Sequence, residues 1–337
     1  MMGELIAIIG DGAMATVCAK LLTETGHSVR LWSAFAEQAE QLAAERENRR
    51  FLPGVAIPEQ VEITTDQTQA FVGAAWAVSA VPTQFIRGVW QRLAGHYPAG
   101  LPICSVAKGI EKDSLLRPTQ VLAEVLTGSA DSAVPLAALS GPSIAREVAA
   151  ERPTTVVAAS AGAELARQIQ QLFTAPYFRV YTNTDLLGVE MAAATKNVIA
   201  IAAGILDGLA AGDNAKAALL TRGLAEITRL GVAMGGRRET FAGLAGLGDL
   251  VTTAVSPHGR NRSLGEAIGK GKTLEQAQAA TESVVEGVAT TTSVLALAGR
   301  EGVEMPITAA VADVLFAGKD PRRAIADLMT RTPKAED

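Results

Sequence analysis

Lys196 and Asn197 interrupt a long run of Ala, Val and Ile, and a lysine in such a setting is well suited to moving a proton. Val198, Ile199, Ile201, Ala202 and Ile205 wrap most of a helical surface, so the segment should be buried. Lysine is rarely buried without a partner, and desolvation lowers its pKa toward the range useful for proton transfer. The pattern puts Lys196 at the opening of this helix, which leaves a second reading, an ammonium that snorkels to solvent from the helix end. Lys108 follows the apolar run 103–107 and so falls at the end of a strand. Asp249 closes the loop Gly243-Leu244-Ala245-Gly246-Leu247-Gly248, whose glycines suit either a close helix–helix turn or a ligand. Arg260-Asn261 offers a charged fork beside a neutral donor, a pairing suited to a phosphate group. Arg262 is expected to face away from them, into solvent. His27, His96 and His258 share no ligand spacing, and neither a metal signature nor a nucleophile–base pair stands out.

The elements that must position these groups begin with a β-α-β unit. Residues 5–9 form a short continuous apolar run of the kind buried on both faces of a parallel sheet. They lead into Gly10-Asp11-Gly12-Ala13-Met14-Ala15, a helical pattern over 16–25 and a second strand at 29–32. In this G-x-G-x-x-A turn Gly10 permits the tight bend and Gly12 lets the backbone approach a pyrophosphate. Ala15 keeps helix and strand close, and free helix N–H groups face the phosphates. An acid normally follows the second strand to hold the ribose. Here that end reads Trp32-Ser33-Ala34-Phe35, with neither acid nor arginine. Ser33 suits a hydroxyl or a phosphate and Arg49-Arg50 lie on the next helix, so NAD and NADP both stay open. Strand-like runs at 61–65, 74–81, 103–107, 136–139, 154–159 and 178–181 alternate with helical ones, which implies a doubly wound sheet. Ligands bind at the carboxyl ends of such strands, where Pro82, Lys108 and Ser140-Gly141-Pro142-Ser143 fall. After residue 181 the pattern turns helical to the end. The expected architecture is a Rossmann-type α/β domain over 1–183 and an all-α domain over 184–337.

Composition narrows the class. The chain has 337 residues, 48% hydrophobic and 19% charged, enough for two compact domains. A net charge of −5 gives no sign of nucleic-acid binding. Cys18 and Cys104 each lie in apolar segments and read as core thiols of a reducing compartment. The N-terminus has no basic start, Glu4 and Asp11 interrupt it, and no uninterrupted apolar run approaches the roughly 20 residues of a membrane span. A cytoplasmic protein without stable membrane insertion is expected.

Several motifs occur together in order: Val106-Ala-Lys-Gly-Ile-Glu111, Ser140-Gly-Pro-Ser-Ile-Ala145, Lys196-Asn-Val-Ile-Ala200, Gly212-Asp-Asn-Ala-Lys216, Ala245-Gly-Leu-Gly-Asp-Leu250, Arg260-Asn-Arg262 and Val285-Glu-Gly287. With them the chain resembles, over essentially its whole length, the NAD(P)-dependent glycerol-3-phosphate dehydrogenases of the bacterial type. The resemblance implies reduction of dihydroxyacetone phosphate to sn-glycerol 3-phosphate with NADH or NADPH, feeding phospholipid synthesis, in a homodimer. It implies Lys196 as general acid/base, with Asp249 and Lys108 beside it. Lys108, Gly141, Ser143, Lys196, Asp249, Gly259, Arg260 and Asn261 would surround the substrate. The turn Gly10, Gly12, Ala13, Met14 and Ala15, with Lys108, Ala145, Arg260, Val284 and Glu286, would surround the cofactor; no metal is implied.

The chain also departs from that pattern. Gly12-Ala13-Met14-Ala15 stands where the family usually has Gly-Ser-aromatic-Gly, a usual basic residue near Ala34 is missing, and Gly259 replaces a common serine. Two other readings compete: a related dehydrogenase of another small hydroxy acid or phosphorylated relative, and a dinucleotide-binding redox sensor without turnover. Arg260-Asn261 argue for a phosphorylated substrate, and a pure sensor has no use for Lys196, Asp249 and Arg260 together.

Overall fold

The computed structural model describes residues 3–129, 134–281, 283–333 and 335. Its first half is a sheet of β1 (Leu5–Ile9), β2 (Ser28–Trp32), β3 (Glu62–Thr64), β4 (Ala74–Ser79), β5 (Ile103–Ser105), β6 (Leu136–Ser140), β7 (Thr154–Ala159) and β8 (Phe178–Asn183). The strand order is β3-β2-β1-β4-β5-β6-β7-β8. Helices α1 (Ala13–Glu24), α2 (Ala36–Glu45), α3 (Thr83–Leu93), α4 (Pro118–Thr127), α5 (Ala145–Ala149) and α6 (Ala163–Phe173) connect the strands. Ile6, Ala7, Ile8 and Ile9 have no exposed surface, which is why β1 reads as an unbroken apolar run rather than an alternating one. Each strand-like run is a strand. The runs at 74–81 and 103–107 stop two residues early, because the chain there leaves the ladder to form loops above the sheet. One feature is invisible to the alternation: β7 pairs antiparallel with β6, while all other neighbours are parallel. The carboxyl ends of β7 and β8 therefore point to the opposite edge from those of β1, β4, β5 and β6.

The second half consists of α7 (Leu186–Gly208), α8 (Asp213–Ala233), α9 (Arg238–Ala242), α10 (Asp249–Val255), α11 (Arg260–Gly269), α12 (Leu274–Ala279), α13 (Glu286–Glu301), α14 (Pro306–Phe316) and α15 (Pro321–Met329). Helix α7 is its axis, and every residue from 188 to 206 is buried. Asp185 caps it by accepting from Gly188 N at 2.8 Å, and also accepts from Arg237 N at 2.8 Å and Thr240 Oγ1 at 2.7 Å. The cap corrects one expectation. Lys196 does not open the helix; it lies about 15 Å along it, at 1.5 Å per residue, and is 4% exposed, so it has no route to snorkel. Asp207 and Gly208 likewise form the last turn of α7 rather than the turn after it. Helix α7 is long and apolar enough to cross a membrane, with a mean hydropathy of 1.5, yet 94% of that window is buried inside the protein.

Helices α7 and α11 cross with their backbones in contact. A Cβ on Gly204 would stand 2.0 Å from Arg262 O, and one on Gly265 would stand 2.0 Å from Ile201 O. Gly208 and Gly269 are closed in the same way, so a glycine every fourth residue on each helix makes the crossing. The neighbours are main-chain atoms that cannot swing aside. Gly265→Ala is expected to cost about 3 kcal/mol, at the upper end of overpacking changes, and urea unfolding measures it directly. Unchanged stability would contradict this contact.

Two buried glutamates tie helices together by capping. Glu190 on α7 accepts from Thr119 N at 2.9 Å and Thr119 Oγ1 at 2.7 Å, and pairs with Arg117, so it caps α4 of the first half. Glu226 on α8 accepts from Ile307 N, Thr308 N and Thr308 Oγ1, each at 2.8 Å, and so caps α14.

Candidate active site

Three charged side chains from distant parts of the chain meet above the carboxyl ends of β5 and β6. Lys196 comes from the middle of α7 and Lys108 from the loop after β5. Asp249 comes from the start of α10. The backbone ahead of Asp249, Leu244–Gly248, is a π-helical turn, a distortion that recurs at functional sites because it re-aims a side chain. Gly246 is required in it, since a Cβ there would lie 2.0 Å from Phe241 O. The Asp249 carboxylate, 2% exposed, bridges both lysines: Oδ1 is 2.9 Å from Lys196 Nζ and Oδ2 is 2.8 Å from Lys108 Nζ.

The bridge sets the protonation of its members. Burial lowers the Lys196 ammonium to about 8, with Asp249 opposing the shift and Lys108 adding to it. Burial alone would raise the Asp249 carboxyl, but the two ammonium groups outweigh it and hold it below the ordinary aspartate value. The two lysines differ in spare donors. Lys108 Nζ donates to Asp249 Oδ2, to Gly141 O at 2.9 Å and to Ser143 Oγ at 3.3 Å, which uses all three of its N–H bonds. Lys196 Nζ donates to Asp249 and to Thr253 Oγ1 at 2.5 Å, so one N–H remains for a ligand. Gly141 turns its carbonyl toward Lys108 with φ +125°, where a Cβ would press on Val156.

A chain of amides joins this cluster to α11. Asn197 donates to Lys108 O at 2.8 Å and accepts from Asn261 Nδ2 at 2.9 Å, and Asn261 Oδ1 accepts from Gly287 N at 3.0 Å. Asn261 thus has one amide hydrogen left over. Arg260, the first residue of α11, is exposed, and among the described residues it has no ion-pair partner. The helix N-terminus has no side-chain cap, so its first N–H groups, the Arg260 fork and the spare Asn261 hydrogen together offer an anion site. Gly259 caps α11, and a Cβ on it would meet Thr253 O at 2.8 Å, so a serine does not fit this backbone without a shift. Arg262 faces away, as expected, but is not simply solvated: Asp207 holds it at 2.6 Å and Glu266 at 3.2 Å.

The dinucleotide turn lies at the end of β1. Gly10 has φ +121°, and a Cβ on it would meet Ala80 O at 2.7 Å; a Cβ on Gly12 would meet nothing within 4 Å. Helix α1 starts there with no side-chain cap, and Ala15 is wholly buried, so open space faces unpaired helix N–H groups. That is the cradle a pyrophosphate needs, and the residues fit a dinucleotide. Ala13 and Met14 are partly buried, and Met14 borders a small cavity with Val106, Lys108 and Ser143. Ala145, the first residue of α5, packs on the same core as Met14. Val284 is partly buried ahead of α13, and Glu286 Oε1 accepts from Thr83 N at 2.9 Å where α3 begins. At the end of β2 the structure revises the reading of Ser33. Its hydroxyl is wholly buried, accepts from Phe35 N at 3.1 Å and donates to Asp11 Oδ2 at 2.5 Å, so it is not offered to a ligand. Arg49 and Arg50 lie beyond the end of α2 at Glu45 rather than on it; Arg49 pairs with Glu45 and Glu47, and Arg50 lies over the Phe51 ring.

Sequence reasoning gave no role to Asn197, Thr253, Phe35 or Phe85. Thr253 follows Asp249 by four residues on one helix, a spacing readable in advance. The rings of Phe35 and Phe85, 67% and 53% exposed, face outward at the end of β2 and the start of α3, and only the fold shows that. Among the described residues no cluster of His, Cys, Asp and Glu is arranged to hold a metal ion.

The family model for the N-terminus of NAD-dependent glycerol-3-phosphate dehydrogenase matches residues 5–166, and that for its C-terminus matches residues 185–326. A glycerol-3-phosphate dehydrogenase (NAD(P)+) of Chlorobium limicola is 50% identical over 98% of this chain and 99% of its own length. The chain belongs to the NAD-dependent glycerol-3-phosphate dehydrogenase family. Another member, from Citrifermentans bemidjiense, is 48% identical over 99% of both chains. The crystal structure of the glycerol-3-phosphate dehydrogenase from Coxiella burnetii superposes with a TM-score of 0.92 at 39% identity, covering 98% of this chain and 100% of that one. Membership in the glycerol-3-phosphate dehydrogenase family accounts for both halves at once: the glycine turn with its sheet, and the α-helical half that carries Lys196, Asp249 and Arg260.

Proposed function

We propose that the chain reduces dihydroxyacetone phosphate to sn-glycerol 3-phosphate, reversibly, with NADH or NADPH, and so supplies glycerophospholipid synthesis. The observation that carries this reading is the Asp249 carboxylate bridging Lys196 and Lys108, together with Arg260 at the uncapped N-terminus of α11. The nicotinamide, when bound, supplies the hydride. Everything else falls to the chain. Arg260, Asn261 and the α11 N–H groups hold the substrate phosphate, whose binding energy fixes the carbonyl in place. The free N–H of Lys196 meets the carbonyl oxygen, stabilises the charge that grows there and donates the proton, which leaves a neutral amine for solvent to recharge. Asp249 positions that amine and holds its charge. Lys108, with no spare donor, fixes Asp249 and the Gly141–Ser143 turn from the other side. Ser143 and Gly259 border the substrate. The Gly10–Ala15 turn, Ala145, Val284 and Glu286 border the dinucleotide.

Loss of nicotinamide absorbance with dihydroxyacetone phosphate, run with NADH and with NADPH, tests the reaction; silence with both in folded protein would refute it. Arg260→Ala should raise KM for dihydroxyacetone phosphate at least tenfold, since a charge-assisted bond to phosphate is lost, about 1.5–3 kcal/mol. Unchanged KM and kcat would sink the phosphate assignment. Two further parts rest on the same resemblance. The division into a dinucleotide-binding unit, 1–183, and a substrate-binding unit, 184–337, has the support of β8 ending at Asn183 and α7 starting at Leu186. A cytoplasmic homodimer is the expected state. The two free thiols, Cys18 and Cys104, both pushed up by burial, suit a reducing compartment, and sedimentation equilibrium measures the assembly.

A further inference from the structure

The acid that normally follows the second strand of a dinucleotide fold is absent from the sequence after β2, yet a carboxylate stands at that place in space. Ser33 is the first residue beyond β2, and its hydroxyl donates to Asp11 Oδ2 at 2.5 Å. Asp11 is the second residue of the glycine turn, so β1 delivers the acid rather than β2. Its backbone is held as firmly as its side chain. Asn48, wholly buried, donates from Nδ2 to Asp11 O at 2.8 Å and to Thr16 Oγ1 at 2.9 Å, and accepts from Phe51 N at 3.2 Å. Asp11 itself remains partly exposed, and among the described residues no hydrogen bond engages its Oδ1. One oxygen is tethered to the end of β2 and the other is left for a ligand.

We infer that Asp11 takes the ribose-binding role in this chain and selects NADH over NADPH. This rests on the dinucleotide part of the function proposed above. A carboxylate there accepts hydrogen bonds from the ribose hydroxyls, and it repels a 2′-phosphate, which brings like charge to within a few ångströms and offers no hydrogen in return. Among the described residues no cation forms an ion pair with Asp11. The Arg92 guanidinium lies 5.3 Å from the centre of the Trp32 ring and donates to Ala34 O at 3.4 Å, a position fixed by indole and main chain on α3. Arg49 is neutralised by Glu45 and Glu47.

The test is calorimetric titration of the full chain with ADP-ribose and with its 2′-phosphorylated form, neither of which requires turnover. The unaltered protein should bind ADP-ribose at least about tenfold more tightly, a difference of about 1.4 kcal/mol. Asp11→Asn should reduce that ratio at least about tenfold, by weakening the first ligand and strengthening the second. Ser33→Ala keeps the charge and loses only the tether, so it should still reject the 2′-phosphate. If Ser33→Ala collapses the ratio as fully as Asp11→Asn does, disruption of the turn is the cause and the inference falls. A protein that prefers the 2′-phosphate from the start also overturns it, and Arg92 becomes the group to replace. Failure to reduce dihydroxyacetone phosphate, with the binding ratio as expected, would strike the substrate and leave Asp11 in its role.

Discussion

Replacing Lys196 with Met is expected to lower kcat for dihydroxyacetone phosphate about 10⁴-fold while leaving dinucleotide affinity within about threefold. The magnitude has two sources. A positioned general acid contributes roughly 10²–10⁴-fold, and a donor aimed at a developing oxyanion in a dry site about 10²–10³-fold; one ammonium supplies both here, so the two overlap rather than multiply. Methionine fills similar space without charge, and Asp249 keeps Lys108 as its counter-ion at 2.8 Å, so the fold should persist. The same residue predicts the pH profile. Burial brings the Lys196 ammonium down to about 8. Reduction needs the protonated form, so kcat in that direction should fall as pH rises through about 8. Oxidation of glycerol 3-phosphate needs the neutral amine and should rise through the same value. Profiles in both directions check this. Retained turnover in the variant, or profiles flat across that range, would remove Lys196 from its role.

Asp249→Asn carries the second large effect, and it acts on stability as well as rate. The substitution leaves two ammonium groups, with side chains 5% and 16% exposed, facing each other without a counter-charge. Breaking a buried pair by removing one partner typically costs about 3–5 kcal/mol, because the remaining charge stays uncompensated. Part of that cost is relieved by deprotonation of Lys196, whose pKa loses its main upward influence and drops further. At neutral pH the variant should then hold an amine where reduction needs an ammonium, and kcat should fall at least about 100-fold. Urea unfolding and the pH profile measure the two halves of the prediction. Adding Lys108→Met to Asp249→Asn should recover much of the stability and none of the rate. Recovery of both would reduce Asp249 to an ordinary structural counter-ion.

The sequence by itself determined whatever depends on neighbours along the chain. Gly10, Gly12 and Ala15 sit where a strand passes into a helix, and the bend, the open space and the close packing they permit follow from residue size alone. The strands announce themselves because a strand buried on both faces has to be apolar throughout. The order of motifs from Val106 to Gly287 carried the family. The candidate site was legible as a set of residue types, since Lys196, Asp249 and Arg260 are costly or conspicuous where they stand.

What the residues do to one another was decided only by tertiary structure. Lys196 reads as the start of a helix until Asp185 is seen to cap that helix about three turns before it. The sequence does not say how many donors Lys108 and Lys196 keep free, and the contacts of Gly141 and Ser143 are what leave one with no free donor and the other with one. Ser33 looks available until Asp11 is found against it, and Arg262 looks solvated until Asp207 meets it across the α7–α11 crossing. The turn of β7 against β6 leaves no local mark, because an antiparallel and a parallel strand bury the same residues in a covered sheet. Each of these depends on pairings between groups tens of residues apart. Local propensity carries no term for such a pairing; the close backbone contacts and the shared burial of charge settle it when the chain folds.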